Sequence, residues 1–117
     1  MQLSEMPFEG AVPVDGYGPG FFRIAGAVHR GPVILAGGGP RAWDGLSDIE
    51  ALEALAGAVD VLLIGMGAEM ALLASAERER LESAGLGVET MATAPALRSY
   101  NVLLAEERRV ALAAVPV

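Results

Sequence analysis

Four consecutive apolar residues, Val61 to Ile64, stand between Asp60 and Gly65. The run shows no alternation of polar and apolar residues, so it does not fit a strand with one face in water. Its length suits a strand better than a helix. It therefore predicts a central strand covered on both faces, which limits the chain to folds with packed layers on either side of a sheet.

Helical patterns alternate with strands around this run. Ser47 and Glu50 match a capping box at the start of a first helix, with Ser47 as the cap. Thr93, followed by Pro95, is a good helix start, with Thr93 able to cap. The predicted helices begin at 47, cover 76–84 with Gly85 closing the second, and run from 93 to about 107; strands cover 61–64, 88–92 and 110–115.

The N-terminal part of the chain has a different pattern. Residues 1–19 are rich in Pro and Gly, which predicts an extended arm with a short strand at 12–15. Strands at 21–28 and 32–36 follow, and His29-Arg30-Gly31 between them predicts a hairpin turn. The glycines before Pro40 end the second strand, and Trp43 is expected to plug the edge of the core. The order predicts one α/β domain over residues 1–117, with its core at 20–117 and a mixed sheet.

Composition excludes several function classes. The 117 residues include no Cys and no Lys, which excludes thiolate chemistry, Schiff-base lysines and a Walker A loop. The net charge is -7 and the eight Arg residues are scattered, which argues against nucleic-acid binding. No apolar run approaches the ~20 residues of a membrane span. We therefore expect no membrane insertion, no cofactor and a cytoplasmic protein.

A candidate ligand site lies at the ends of two predicted strands. Gly65-Met66-Gly67 follows one strand and Thr93 follows another, and ligands of open α/β sheets bind beyond such strand ends. The N-terminus of the helix that starts at Thr93 would offer free N–H groups to an anion. Arg98, about one turn further on, either contacts that anion or forms an ion pair, for example with Glu69. The glycines match only part of a dinucleotide fingerprint, because the third glycine is missing.

Two polar residues of the last helix complete the candidate set. Tyr100 falls on the apolar face, which predicts a buried ring whose hydroxyl finds an acceptor. Asn101 is a poor helix former, so we expect its side chain to make a specific hydrogen bond, structural rather than catalytic. His29, the only histidine, is expected in an exposed turn. No catalytic residue and no metal site is predicted, because zinc would need further N or S ligands.

The segment from Thr93 to Glu106, T-A-P-A-L-R-S-Y-N-V-L-L-A-E, resembles the T-x-x-A-x-R-T-Y-N-x-L-x-x-E block of a known family. That family is the domain shared by mitochondrial complex I assembly factor three, the adipogenesis-associated Mth-domain protein and many small bacterial and archaeal proteins. The resemblance covers nearly the whole chain from about Val14. It implies a three-layer α/β fold on a mixed sheet and no established enzyme activity. Ser99 replaces the usual Thr, and Glu107 stands where many relatives have Gly, so the helix is expected to end differently.

Three hypotheses follow for function. The first is a non-catalytic protein-interaction module with a protein partner, similar to an assembly factor. The second is a small anionic-ligand binder, or an unrecognised enzyme, that uses the crevice between Gly65-Met66-Gly67 and Thr93. The third is a structural subunit that forms a homo-oligomer. The lack of a catalytic constellation favours binding over catalysis.

Overall fold

The computed structural model describes residues 11–117. Its elements alternate much as the sequence predicts, although the N-terminal part has more strands. In chain order they are β1 Val14–Gly18, β2 Phe21–Ile24, β3 Ala27–Arg30, β4 Val33–Ala36, β5 Gly39–Ala42, α1 Ile49–Glu53, β6 Val61–Gly65, α2 Ser75–Ser83, β7 Gly87–Met91, α3 Thr93–Ala105 and β8 Val110–Ala114.

The larger sheet has five strands in the order β5-β4-β8-β6-β7. β6 is parallel to both β7 and β8, while β4 is antiparallel to β5 and β8, so the sheet is mixed as predicted. Successive side chains of a strand point to opposite faces. Leu62 and Ile64 accordingly pack on one face and Leu63 on the other, and all three are buried. The prediction of a doubly covered strand at 61–64 is confirmed.

Different elements cover the two faces of this sheet. α1 and α2 lie on one face, where Leu52 and Leu81 are fully buried. α3 and a three-stranded sheet, β1-β2-β3, lie on the other, where Phe22 and Tyr100 are fully buried. The predicted three-layer α/β fold is confirmed. Part of the predicted N-terminal arm forms β1, which pairs with β2, and residues 1–10 lie outside the described residues.

The predicted hairpin between residues 21 and 36 is wrong. The chain turns earlier, at Ala25 and Gly26, whose φ values of 52° and 80° suit a two-residue turn between β2 and β3. His29 therefore lies inside β3, half-buried, and not in an exposed turn. Alanine at a left-handed position gives no turn signal, which is why the sequence pattern reads through it as one strand.

The Gly-rich segment ends the strand at 36 as predicted, but it then turns the chain into β5, which the sequence did not predict and which pairs with β4. The first helix is capped by Asp48 and not Ser47, because the Asp48 carboxylate accepts from the Ala51 N–H at 3.2 Å. Trp43 is buried as expected, and its indole N–H donates to the Asp48 carbonyl at 3.0 Å.

α3 ends in a pattern that usually uses glycine, although Glu107 stands at the position concerned. The N–H of Arg108 donates to the Leu103 carbonyl and that of Glu107 to the Leu104 carbonyl, each at 3.0 Å, which is the Schellman pattern. This pattern needs a left-handed residue, and Glu107 adopts a φ of 62°. Glu107 therefore holds a conformation that favours glycine.

Candidate functional site

The two turns proposed as a ligand crevice meet at one rim of the larger sheet, because β6 and β7 are parallel and end together. Thr93 joins them. Its N–H donates to the Gly67 carbonyl at 2.8 Å, and its hydroxyl accepts from the Gly67 N–H at 2.8 Å. The same hydroxyl donates to the Val115 carbonyl at 2.6 Å. One buried side chain therefore links the turn after β6, the start of α3 and the end of β8.

Thr93 does not cap α3 in the way the sequence predicts. It is the first residue of the helix, and Ala92 precedes it as a cap that contributes no side-chain hydrogen bond. The hydroxyl reaches across to another loop instead of back to its own helix. A tertiary contact has taken the place of the local one, because the buried N–H of Gly67 and the half-buried carbonyl of Val115 both gain a partner.

The structure explains why glycine stands at both ends of the Gly65-Met66-Gly67 turn. A Cβ on Gly65 would lie 2.9 Å from the Thr93 hydroxyl and 3.0 Å from the Thr93 Cα, so a side chain does not fit there. Gly67 has a φ of 108°, which disfavours every other residue. Met66 packs into the α1 and α2 side of the core. The turn is built for close packing against Thr93.

Few N–H groups remain for an anion at the start of α3. The N–H of Thr93 donates to Gly67, that of Ala96 donates to the Ala92 carbonyl, and Pro95 has none. Of the first four helical residues, Ala94 alone keeps an N–H outside these bonds. Most of the donors that the anion-binding hypothesis needs are thus bonded within the chain.

Tyr100 and Asn101 hold the N-terminal strand onto α3. The Tyr100 hydroxyl donates to the Val12 carbonyl at 2.8 Å. The Asn101 amide oxygen accepts from the Val14 N–H and its amide nitrogen donates to the Val14 carbonyl, both at 2.9 Å. The hydrogen bond expected of Asn101 is therefore present, as a pair. Burial raises the pKa of Tyr100 to about 12, because the phenolate would lose its hydration.

Arg98 lies on the exposed side of α3, apart from both groups. Within residues 11–117 its guanidinium has no carboxylate within 4.0 Å, so the expected ion pair with Glu69 is not formed. Two depressions flank it. One, of about 390 Å³, is lined by Leu63, Glu89, Arg98, Ser99, Val102 and Leu103. The other, of about 170 Å³, lies between β1 and α3 and includes Asp15, Tyr17 and Asn101.

The predicted site residues thus fall into three places. Gly65, Gly67 and Thr93 form the rim, Tyr100 and Asn101 hold β1, and Arg98 faces outward. Sequence reasoning missed the exposed apolar residues near them. Met70 and Leu72, in the loop between β6 and α2, are 64% and 79% exposed, and Val102 on α3 is 57% exposed. Their exposure depends on which neighbours the fold supplies, and the sequence pattern carries no sign of it.

Three features are absent from the described residues: a metal-holding cluster, an unpaired buried polar side-chain atom and a membrane-spanning helix. Among residues 11–117, no group of three or more His, Asp or Glu side chains is placed to hold a metal ion. In the same range every buried polar side-chain atom has a hydrogen-bond partner. None of the described helices is long and apolar enough to cross a membrane. The polar groups inside the protein therefore serve its own structure.

A family model for a protein of unknown function, DUF498/DUF598, matches residues 14–115. The chain belongs to this family. The DUF498/DUF598 chain is 54% identical over 116 residues to an uncharacterized protein of Rhodobacter capsulatus, a match that covers 99% of this chain and 94% of the relative. The resemblance found in the sequence is therefore confirmed at the level of the family, whereas complex I assembly is not named among these matches.

Solved structures show the same architecture. A Bartonella henselae protein, described as an outer membrane protein, superposes with a TM-score of 0.84 at 36% identity and covers 94% of this chain and 99% of its own. A Bordetella pertussis protein, described as a Mth938-like domain, superposes with a TM-score of 0.76 at 27% identity and covers 90% and 85% of the two chains. The fold is thus Mth938-like.

Proposed function

We propose that this protein is a non-catalytic interaction module that binds another protein through exposed apolar side chains. The observation that carries the proposal is the loop between β6 and α2, where Met70 and Leu72 stand in water at 64% and 79% exposure. Burying a large apolar side chain contributes about 1.5–3 kcal/mol of free energy, and a side chain left in water does not contribute it. A partner that covers the loop would recover this free energy.

The use of polar groups supports the same proposal. Thr93, Tyr100 and Asn101 are the polar residues that the sequence suggested for ligand binding, and each is engaged by hydrogen bonds within the chain. The groups that remain able to bind a partner therefore lie mainly on the surface. The resemblance to complex I assembly factors suggests the kind of partner, a subunit of a membrane or respiratory complex before its assembly. A cytoplasmic location, expected from the sequence, is part of this proposal and is checked by cell fractionation.

Quantitative affinity purification from the organism that encodes the protein tests the proposal. Three tagged forms are compared: the native chain, the double variant Met70→Ser with Leu72→Ser, and Glu79→Gln as a control on the exposed side of α2. We expect a small set of proteins to copurify with the native and control forms and to fall at least about tenfold with the double variant, since two buried contacts are lost. Equal recovery with all three forms, or none above background, contradicts the proposal.

One observation favours a second candidate, the small anionic-ligand binder. The exposed Arg98 guanidinium faces two depressions and has no carboxylate within 4.0 Å among the described residues. A thermal-shift screen with phosphates and carboxylates tests it, since a ligand at a hundredfold excess over its Kd stabilises by about 2.7 kcal/mol. Stabilisation that disappears in Arg98→Gln supports this candidate, and a flat screen removes it.

A further inference from the structure

The outward-facing backbone groups of β7 follow from its pairing with β6. The Gly87 N–H donates to the Asp60 carbonyl at 2.8 Å, and the Met91 carbonyl accepts from the Met66 N–H at 2.8 Å. In a parallel pair every second residue bonds the neighbouring strand. Gly87, Glu89 and Met91 therefore face β6, while the N–H and C=O of Val88 and Thr90 point away from the sheet. Among residues 11–117, β7 is an end strand and no further strand meets them.

The two edge strands of the five-stranded sheet differ in how many backbone groups they leave free for hydrogen bonding. At the β5 end, Pro40 pairs with Leu35 in the register that turns its nitrogen outward, which removes a donor from that edge. At the β7 end, the Arg78 guanidinium donates to the Val88 carbonyl at 2.9 Å. The Val88 N–H and both backbone groups of Thr90 have no hydrogen-bond partner among the described residues. β7 thus presents a short open edge.

A depression lies directly beside this edge. α3 packs mainly over β6 and β8, which leaves Glu89 of β7 uncovered at the wall of the depression of about 390 Å³. α3 runs antiparallel to β7, because it connects two parallel strands of one sheet. Val102 therefore lies toward the Gly87 end and Arg98 toward the Met91 end. In a strand added beside β7, alternate side chains would point to this face, so one would lie near Val102 and the next near Arg98.

We propose that β7 is a docking edge for an extended segment of another protein, which adds as a sixth strand and pairs an acidic side chain with Arg98. The three open backbone groups at Val88 and Thr90 specify an extended backbone as the ligand. The exposed Val102 specifies an apolar side chain two residues from the acidic one. This inference rests on the proposed interaction function and names a surface and partner chemistry for it.

A second copy of the chain fits this edge poorly. Antiparallel self-pairing that uses both Val88 and Thr90 sets Glu89 directly opposite Glu89 of the copy, and like charges directly opposite destabilise a strand pair. Self-pairing also brings no carboxylate to Arg98 other than these repelling ones. A segment from another protein is not held to this register, so its carboxylate lies beside Arg98 at the Met91 end and not directly opposite Glu89. Charges beyond about 8 Å are screened at physiological ionic strength, including most of the net charge of -7.

The test uses a synthetic peptide, acetyl-Gly-Val-Thr-Glu-Thr-Val-Gly-amide, titrated into the full ¹⁵N-labelled chain and followed by NMR. Its pattern places Val two residues from Glu in either strand direction. We expect the Val88 and Thr90 amide signals to shift most. The Kd should rise about tenfold or more in Arg98→Gln, because a charged hydrogen bond is lost. The peptide with Lys for Glu should also bind more weakly.

Two controls separate backbone pairing from general adhesion. Thr90→Pro removes an outward N–H on an end strand, where proline is tolerated, and should abolish the shift. A peptide N-methylated on alternate residues should not bind, and this control needs no protein variant. Failure of the native peptide to shift Val88 and Thr90, binding that survives N-methylation, or preference for the Lys peptide overturns the proposal. So does sedimentation that shows a dimer through β7.

The peptide titration and the affinity purification can fail independently of each other. Met70→Ser with Leu72→Ser should leave peptide binding unchanged, since neither residue lines the depression beside β7. If the peptide fails while partners still depend on Met70 and Leu72, the β7 inference is wrong and the interaction function stands. If the peptide binds while no partner depends on Met70 and Leu72, the β7 inference stands and the loop is not the interacting surface.

Discussion

The two sides of α3 use their polar residues in opposite ways. On the inner side, Thr93 and Tyr100 are fully buried, and they and Asn101 donate or accept hydrogen bonds within the chain. On the outer side, Arg98 has no ion pair among the described residues and Val102 is 57% exposed. A distinctive polar motif therefore holds this fold together, and the groups left exposed are inconspicuous in the sequence.

Among the polar residues, the largest expected effect comes from breaking the inner side at Thr93. Thr93→Val keeps the shape but removes the hydroxyl that joins Gly67 to Val115. Two backbone groups then lose their partner, at about 1–3 kcal/mol each when buried. We expect a loss of about 2–4 kcal/mol in the free energy of unfolding, measured by urea denaturation. Thr90→Val, which removes a hydroxyl from an end strand, is the control and should change stability by about 0.5 kcal/mol or less. Equal effects would contradict the linking role of Thr93.

The contrast between the two sides of α3 shows which structural features the sequence predicts. The apolar run at 61–64 requires a covered strand whatever its neighbours are, so that prediction holds. The turn at Ala25 carries no local signal, and Thr93 makes a tertiary contact with Gly67 in place of the predicted cap. The depression beside β7 joins Glu89 to Arg98 and Val102 from different elements. No local spacing encodes that arrangement, so sequence reasoning named Arg98 without its surroundings.

A second, smaller effect tests burial on the inner side through pH. The pKa of Tyr100 is raised to about 12, above its ordinary value of about 10, so the unfolded chain loses this proton first as pH rises. The stabilisation is therefore complete below about pH 10 and lost as pH rises through about 12. Tyr100→Phe should cost about 1–2 kcal/mol at neutral pH, because the Val12 carbonyl loses its donor.

The same variant supplies the control for the pH dependence. Its phenyl ring cannot ionise, so the stability gap between the native chain and Tyr100→Phe should narrow by about 1 kcal/mol from about pH 8 to about pH 11. Urea denaturation at both pH values measures the gap. A gap that stays constant would show that the Tyr100 ring is not buried from water as described.

At the C-terminal end of α3, a substitution should stabilise the protein. Glu107 adopts a φ of 62°, a left-handed conformation that costs a non-glycine residue about 1–2 kcal/mol. Glu107→Gly relieves this strain but gives the unfolded chain more freedom, so we expect a net gain of about 0.5–1 kcal/mol. Glu106→Gly, at a φ of -87°, relieves no strain and should give no gain. Equal changes in the two variants would be inconsistent with strain at Glu107.

The smallest effect on stability should come from a substitution on the outer side of α3. Leu97 and Val102, two apolar residues of this helix, give the comparison. Leu97 is 4% exposed, and Leu97→Ser should cost at least about 2–5 kcal/mol, as for other buried leucines that are truncated. Val102→Ser should change stability by about 0.5 kcal/mol or less, since Val102 already meets water and the two residues have similar helix propensity. Urea denaturation at two protein concentrations measures both. A loss above about 1 kcal/mol for Val102→Ser that grows with concentration would mean that copies of the chain already cover the outer side. The difference between the two sides of α3 would then reflect self-association and not a surface awaiting another protein.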